Sequence, residues 1–197
     1  MRLHHLRPDE LDPTQRALYD RLTTGSRTQV LVTRPDVRMT DDEGRLQGPF
    51  NALLHHPHVG DAVQEVSRRL RFEGVLTDRA REIVILIVAE SQKSDFEWVA
   101  HAAIAETLGI HSGDIDGLGK GQTVRFEDPT EDAAALLARS LVEVGDADDD
   151  TYERAHDALG DAGVVEVSTT VGIYQLLAQQ MRVFRVPSPP GPWGNTG

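Results

Sequence analysis

The chain of 197 residues contains no cysteine. That excludes disulfides, thiolate metal sites and any thiol peroxidase or thiol–disulfide chemistry carried by its own side chains. Basic residues are scarce beside acidic ones, 20 Lys and Arg against 32 Asp and Glu, for a formal net charge of -12. So acidic a chain lacks the footprint of a nucleic-acid binder and is repelled by anionic membrane surfaces. Its overall field does not draw in small anions either, so an anionic substrate needs a local cation. Aromatics make up 5% of the residues, too few for a base-stacking platform. No apolar run approaches the roughly 20 residues of a membrane span. The opening MRLHHLRPDELDP has no apolar core of a secretory leader. These absences lead us to expect a cytoplasmic protein without nucleic acid or membrane among its partners.

What is present is helical punctuation. Asp12, Pro13 and Gln15 form a helix start, with an acidic cap, proline in the first turn and a glutamine three residues after the cap. A helix over residues 13–24 follows, with Leu18, Tyr19 and Leu22 on one face. Residues 25–47 form a long irregular arm in which 28–33 has the pattern of a short strand. A short helix is expected over 50–55. A longer one starts at Pro57, carries Val59, Val63, Val66 and Leu70 at helical spacing, and stops by Gly74. Thr77 caps an apolar helix ending near 89–91, and Ser94 starts a helix that runs to Leu108. Thr130 is read as the cap of a further helix. Residues 151–159 and 164–183 are read as two helices on either side of Gly160. The chain therefore divides into an N-terminal helix and arm (1–47), a helical domain (48–186), and a Pro/Gly-rich tail (187–197), PSPPGPWGNTG, expected to be mobile or bound to a partner. The class is all-α.

The sequence R-E-I-V-I-L, a polar break, and then S-x-F-E-W-x-x-H-x-x-I-A-x-x-x-G resembles the carboxymuconolactone decarboxylase family, which includes the alkylhydroperoxidase-D-like proteins. In the peroxidase branch a Glu is followed twelve residues on by Cys-x-x-Cys-x-x-x-His. Here Glu82 stands at the Glu, Ser94 at the first Cys, Glu97 at the second and His101 at the His. The spacing matches in full and the chemistry only in half. The resemblance covers residues 48–109 most closely. It implies an all-α orthogonal helical bundle that assembles as homo-oligomers, from dimers to hexamers. Cysteine-dependent peroxide reduction is excluded by Ser94 and Glu97. The decarboxylase side of the family, a cofactor-free lyase acting on a small carboxylated lactone, stays open.

Each candidate residue also has a plain structural role. His101, one turn after Glu97, is expected to be a general acid or base set by Glu97, or else half of an ion pair. Ser94 and Glu97 form S-x-x-E, which is also a capping box. Glu82, at the head of an apolar helix, is expected to have its pKa raised by burial and to partner His101, or to pair with Arg79 or Arg81. Arg71, in a cluster with Arg68 and Arg69, could clamp a substrate carboxylate, although helix C-termini favour cations anyway. Asn51 and Tyr174 are candidate pocket polar groups, and Trp98 is read as core or subunit interface. His55, His56 and His58 are interrupted by Pro57 and are not read as a metal site. The expected catalytic set is His101, Glu82 and Glu97, and the expected binding set Ser94, Arg71, Asn51 and Tyr174, with no metal or cofactor. The rival expectation is a non-catalytic oligomeric binding or scaffold protein.

Overall fold

A computed structural model describes residues 1–24 and 38–194. The described residues form eight α-helices and one short 3-10 turn, Pro8–Glu10, with no strand. The helices are α1 (Pro13–Thr24), α2 (Phe50–Leu54), α3 (Pro57–Phe72), α4 (Asp78–Gln92), α5 (Asp95–Thr107), α6 (Ser112–Gly119), α7 (Pro129–Val144) and α8 (Asp149–Phe184). The expected strand over 28–33 lies outside the described residues. Nearby, Thr40 and Leu46 form an isolated antiparallel bridge.

The helix starts follow local chemistry. Asp12 accepts from the Thr14 and Gln15 amides, and Gln15 reaches back to the Asp12 amide, so the box at the head of α1 is closed. Thr77 accepts from the Ala80 amide at 3.1 Å and caps α4. α7 is capped by Asp128, which accepts from the amides of Thr130 and Glu131, and not by Thr130 as expected. An ionised carboxylate is the stronger acceptor, and it also meets the positive end of the helix dipole. Gly160 adopts φ 67° and ψ 176°, which breaks α8 into the two segments read from the sequence.

α4 lies at the centre, packed by α5, α6, α7 and α8. Its run from Ile83 to Ala89 is buried all round, which is why it shows no polar stripe. A second apolar cluster, Leu18, Leu22, Met39, Leu46, Phe50, Leu53 and Leu54, joins α1 and part of the arm to α2. The turn between α3 and α4 is held by buried Glu166 of α8, which accepts from the Val75 amide at 2.5 Å. A Cβ on Gly74 would lie 2.1 Å from a Glu166 oxygen, so this turn needs glycine.

The tail was expected to be mobile or partner-bound, but residues 187–194 pack back onto the chain. The Trp193 amide donates to Asp95 at 3.0 Å, and the Trp193 ring meets Trp98 edge-on with centroids 5.3 Å apart. Lys93 sits over the Trp193 ring. Proline-rich composition predicted little local order, but two large aromatics and a buried carboxylate provide an anchor.

Candidate functional site

The site is built around Glu82, on the second turn of α4 and fully buried. One carboxylate oxygen is 2.6 Å from Nδ1 of His101 on α5. The other is 3.2 Å from a guanidinium nitrogen of Arg71 at the end of α3. Arg71 also hydrogen-bonds Tyr174 on α8. The Tyr174 ring stands edge-on to the His101 imidazole, centroids 5.2 Å apart. Four helices thus contribute one group each to a single buried polar cluster.

The expectation of a raised pKa at Glu82 is corrected. Burial does push the carboxyl up, but His101, Arg71 and Arg81 outweigh it and hold Glu82 below the ordinary range. Burial likewise opposes the charge on Arg71, and Tyr174 and Glu82 more than offset it. Glu82 is therefore an ionised acceptor. With Nδ1–H donating to it, proton exchange at His101 falls to Nε2.

The expected pairing of Glu97 with His101 is also corrected. Glu82 takes the imidazole, and neither oxygen of Glu97 makes a hydrogen bond, although the residue is only 3% exposed. Burial pushes its carboxyl up to about 8, with the Ser94 hydroxyl pulling the other way. Glu97 is therefore a neutral acid at pH 7. Ser94 occupies the position before α5, but its side chain does not cap the helix. S-x-x-E here is a capping box in spacing only. The same motif class closes at Asp12 and Gln15, where the Gln15 oxygen accepts from the Asp12 amide while its amide donates to the Leu54 carbonyl.

Ser94 lines a cleft of about 780 Å³ between the junction of α4 and α5 and the end of α8. Glu82, Glu97 and His101 are not among its lining residues. Asn51 is bonded to the N-terminal segment. Its carbonyl accepts from the Leu6 amide and its amide donates to the His4 carbonyl, both at 3.0 Å. Both polar ends are used to fasten the N-terminal segment, which gives Asn51 a structural role. Arg68 and Arg69 are committed to Glu65 and Glu73 on the surface. His55 hydrogen-bonds the His4 carbonyl. Among the described residues no cluster of three or more His, Asp or Glu could hold a metal, and no helix is long and apolar enough to cross a membrane.

Sequence reasoning missed the buried acids Asp95, Glu90, Glu131 and Glu166. Glu131 pairs with Arg79 at 2.6 Å and Glu90 with Arg139 at 2.9 Å. These two partners are 49 or more positions away, so local spacing does not point to them, although Glu90 also pairs with Lys93 one turn along.

No family sequence profile and no curated protein sequence matches the chain. Solved structures do. The alkylhydroperoxidase AhpD core protein from Ralstonia eutropha, a peroxidase-related protein, superposes with a TM-score of 0.72 at 14% identity, covering 95% of this chain and 92% of its own. The chain has the alkylhydroperoxidase-D fold. An AhpD-type protein of unknown function from Agrobacterium tumefaciens gives a TM-score of 0.62 at 16% identity, covering 73% of this chain and 99% of its own. The debrominase Bmp8 gives 0.67 at 12% identity, covering 93% of this chain and 90% of its own. Identities this low establish the alkylhydroperoxidase-D fold and no activity. Two of these neighbours are described by different chemistries, one peroxidase-related and one a debrominase.

Proposed function

We propose that the chain is a cofactor-independent lyase acting on a small carboxylated lactone or oxo-acid, with His101 as proton carrier. The observation that carries this reading is the ionised Glu82 buried against His101 and Arg71, with a second buried acid, Glu97, on the same helix as His101. Such an arrangement is costly to fold, and functional sites are where it is retained. Cysteine-free chemistry is required in any case.

In this mechanism the C–C bond to a substrate carboxylate breaks, CO₂ leaves, and the electron pair is delocalised into an adjacent lactone or carbonyl as an enolate. The enolate carbon then takes a proton from Nε2 of His101 or from Glu97. Glu82 fixes the imidazole tautomer and stabilises the imidazolium, and Arg71 and Tyr174 hold Glu82 in place. Ser94 belongs to the substrate-binding side. The proposal includes a cytoplasmic homo-oligomer. Val59, Val66, Phe72 and Val75, all exposed around α3, supply apolar surface for self-association.

The test is loss of γ-carboxymuconolactone, followed by absorbance and CO₂ release, with wild type and His101→Ala compared. Turnover by wild type that falls at least 100-fold in the variant is expected. Turnover undiminished in His101→Ala refutes the assigned role, and no turnover by wild type refutes the substrate. One observation favours the non-catalytic reading: the cleft beside Ser94 is lined by none of Glu82, Glu97 or His101. Under that reading the protein binds a small molecule and leaves it unchanged.

A further inference from the structure

The cleft beside Ser94 carries a charge opposite to that of the whole chain. Arg2, Lys93, Arg182 and Arg185 line it, with Asp95 the one carboxylate among its lining residues. The overall formal charge is -12, yet four cations gather around this cleft, one of which, Lys93, is also ion-paired to Glu90 of α4. Arg182 donates to neutral acceptors, the carbonyl and side-chain oxygens of Gln92, both at 2.9 Å. Arg2 donates to the Val183 carbonyl. Asp95 is buried and accepts the Trp193 amide. Ser188, also in the wall, has a buried hydroxyl oxygen without a hydrogen-bond partner.

Two of these cations hold an unfavourable backbone conformation. Lys93, at φ 51°, ends α4, and Arg185, at φ 54°, ends α8. They are the only two non-glycine residues with positive φ among the described residues. A helix that ends this way usually does so on glycine, because a Cβ crowds the following carbonyl. Helix dipoles favour a cation near each of these ends. That preference is met by any position in the last turn and does not require the one position where glycine is preferred. Both helices end at the same cleft, and both end on a long cation.

We propose that this cleft anchors the carboxylate of a small organic anion, held by Lys93 and Arg185 with Arg182 and Ser94 alongside. The volume of about 780 Å³ suits a small molecule. The proposal rests on the lyase reading for the identity of that anion as substrate. Along α5, Glu97 lies one turn beyond Ser94 and His101 one turn beyond Glu97, so the helix leads from the anchor toward the acid groups.

The test is isothermal titration of the full chain with cis,cis-muconate, an unreactive dicarboxylate, against its neutral dimethyl ester and inorganic phosphate. Wild type is expected to bind muconate, more weakly as salt rises, and to bind the ester and phosphate at least tenfold more weakly. Lys93→Gly and Arg185→Gly are expected to lose at least fivefold in affinity, and the Tm of Arg185→Gly to stay level or rise, since glycine relaxes the backbone there, whereas Lys93→Gly also gives up the ion pair with Glu90. Absent muconate binding, equal binding of the ester or phosphate, or unchanged affinity in both variants overturns the proposal. Muconate binding without turnover of any lactone supports the anchor and sinks the lyase. Turnover without muconate binding does the reverse.

Discussion

Replacing Glu97 by glutamine should stabilise the protein, and by an amount that depends on pH. The carboxyl is buried, has no hydrogen-bond partner and titrates at about 8 in the folded state, against an ordinary value of 4.5. A carboxyl raised in this way is bound to its proton more tightly when folded. The folded state therefore holds more protons than the unfolded one between those two values, and stability falls as pH rises through that window. Glutamine keeps the shape and cannot ionise. The predicted advantage of Glu97→Gln over wild type is about 1 kcal/mol at pH 5, about 3 kcal/mol at pH 7 and about 5 kcal/mol at pH 9, from the integrated linkage relation. At pH 7 that corresponds to a rise in Tm of roughly 6–12 °C for a chain of this size. Urea unfolding of both proteins at the three pH values measures the difference directly, and other titrating groups cancel in the comparison. A difference that is flat with pH, or a destabilised variant, would refute the argument, because it would mean that Glu97 is hydrated or paired in solution. If Glu97 is also the proton donor, the stabilised variant should lose turnover, the usual trade at a strained site.

Glu82→Ala leaves His101 and Arg71 buried without their shared anion and should destabilise by about 3–5 kcal/mol, read as a lower urea midpoint. The lowered carboxyl pKa of Glu82 has the opposite linkage to Glu97. Its contribution is present above the unfolded value and is lost as pH falls toward the folded one, so acid unfolding should begin at higher pH in the variant than in wild type. Asn51→Ala removes both hydrogen bonds that fasten residues 4–6 and should cost about 1–3 kcal/mol. The N-terminal segment should then become protease-sensitive while turnover is unchanged, and a loss of turnover with the segment intact would assign Asn51 to the site.

The all-α class, the helix at residues 13–24, the stop at Gly74, the cap at Thr77 and the break at Gly160 were legible in the sequence. The helix start, the cap and the break depend on interactions within a few residues, which spacing encodes, whereas Gly74 also answers to distant Glu166. The convergence of Glu82 and His101 was legible through resemblance and through the apolar setting of Glu82, which demanded a partner. Local spacing went wrong where a distant group outcompeted a near one. Glu97 is one turn from His101, yet the imidazole belongs to Glu82, nineteen positions away. Ser94 and Glu97 have capping-box spacing, yet burial leaves the carboxyl protonated and unbonded. Asn51 looked like a pocket residue because its type suits one, and only the fold shows its two ends spent on the N-terminal segment. The tail looked unanchored because its anchors, Asp95 and Trp98, lie about a hundred residues back. Sequence by itself determined where helices start and stop and which chemistry the missing cysteines forbid. Tertiary structure decided which charges are buried, who pairs with whom and where the cations gather, because desolvation and ion pairing depend on distance in space.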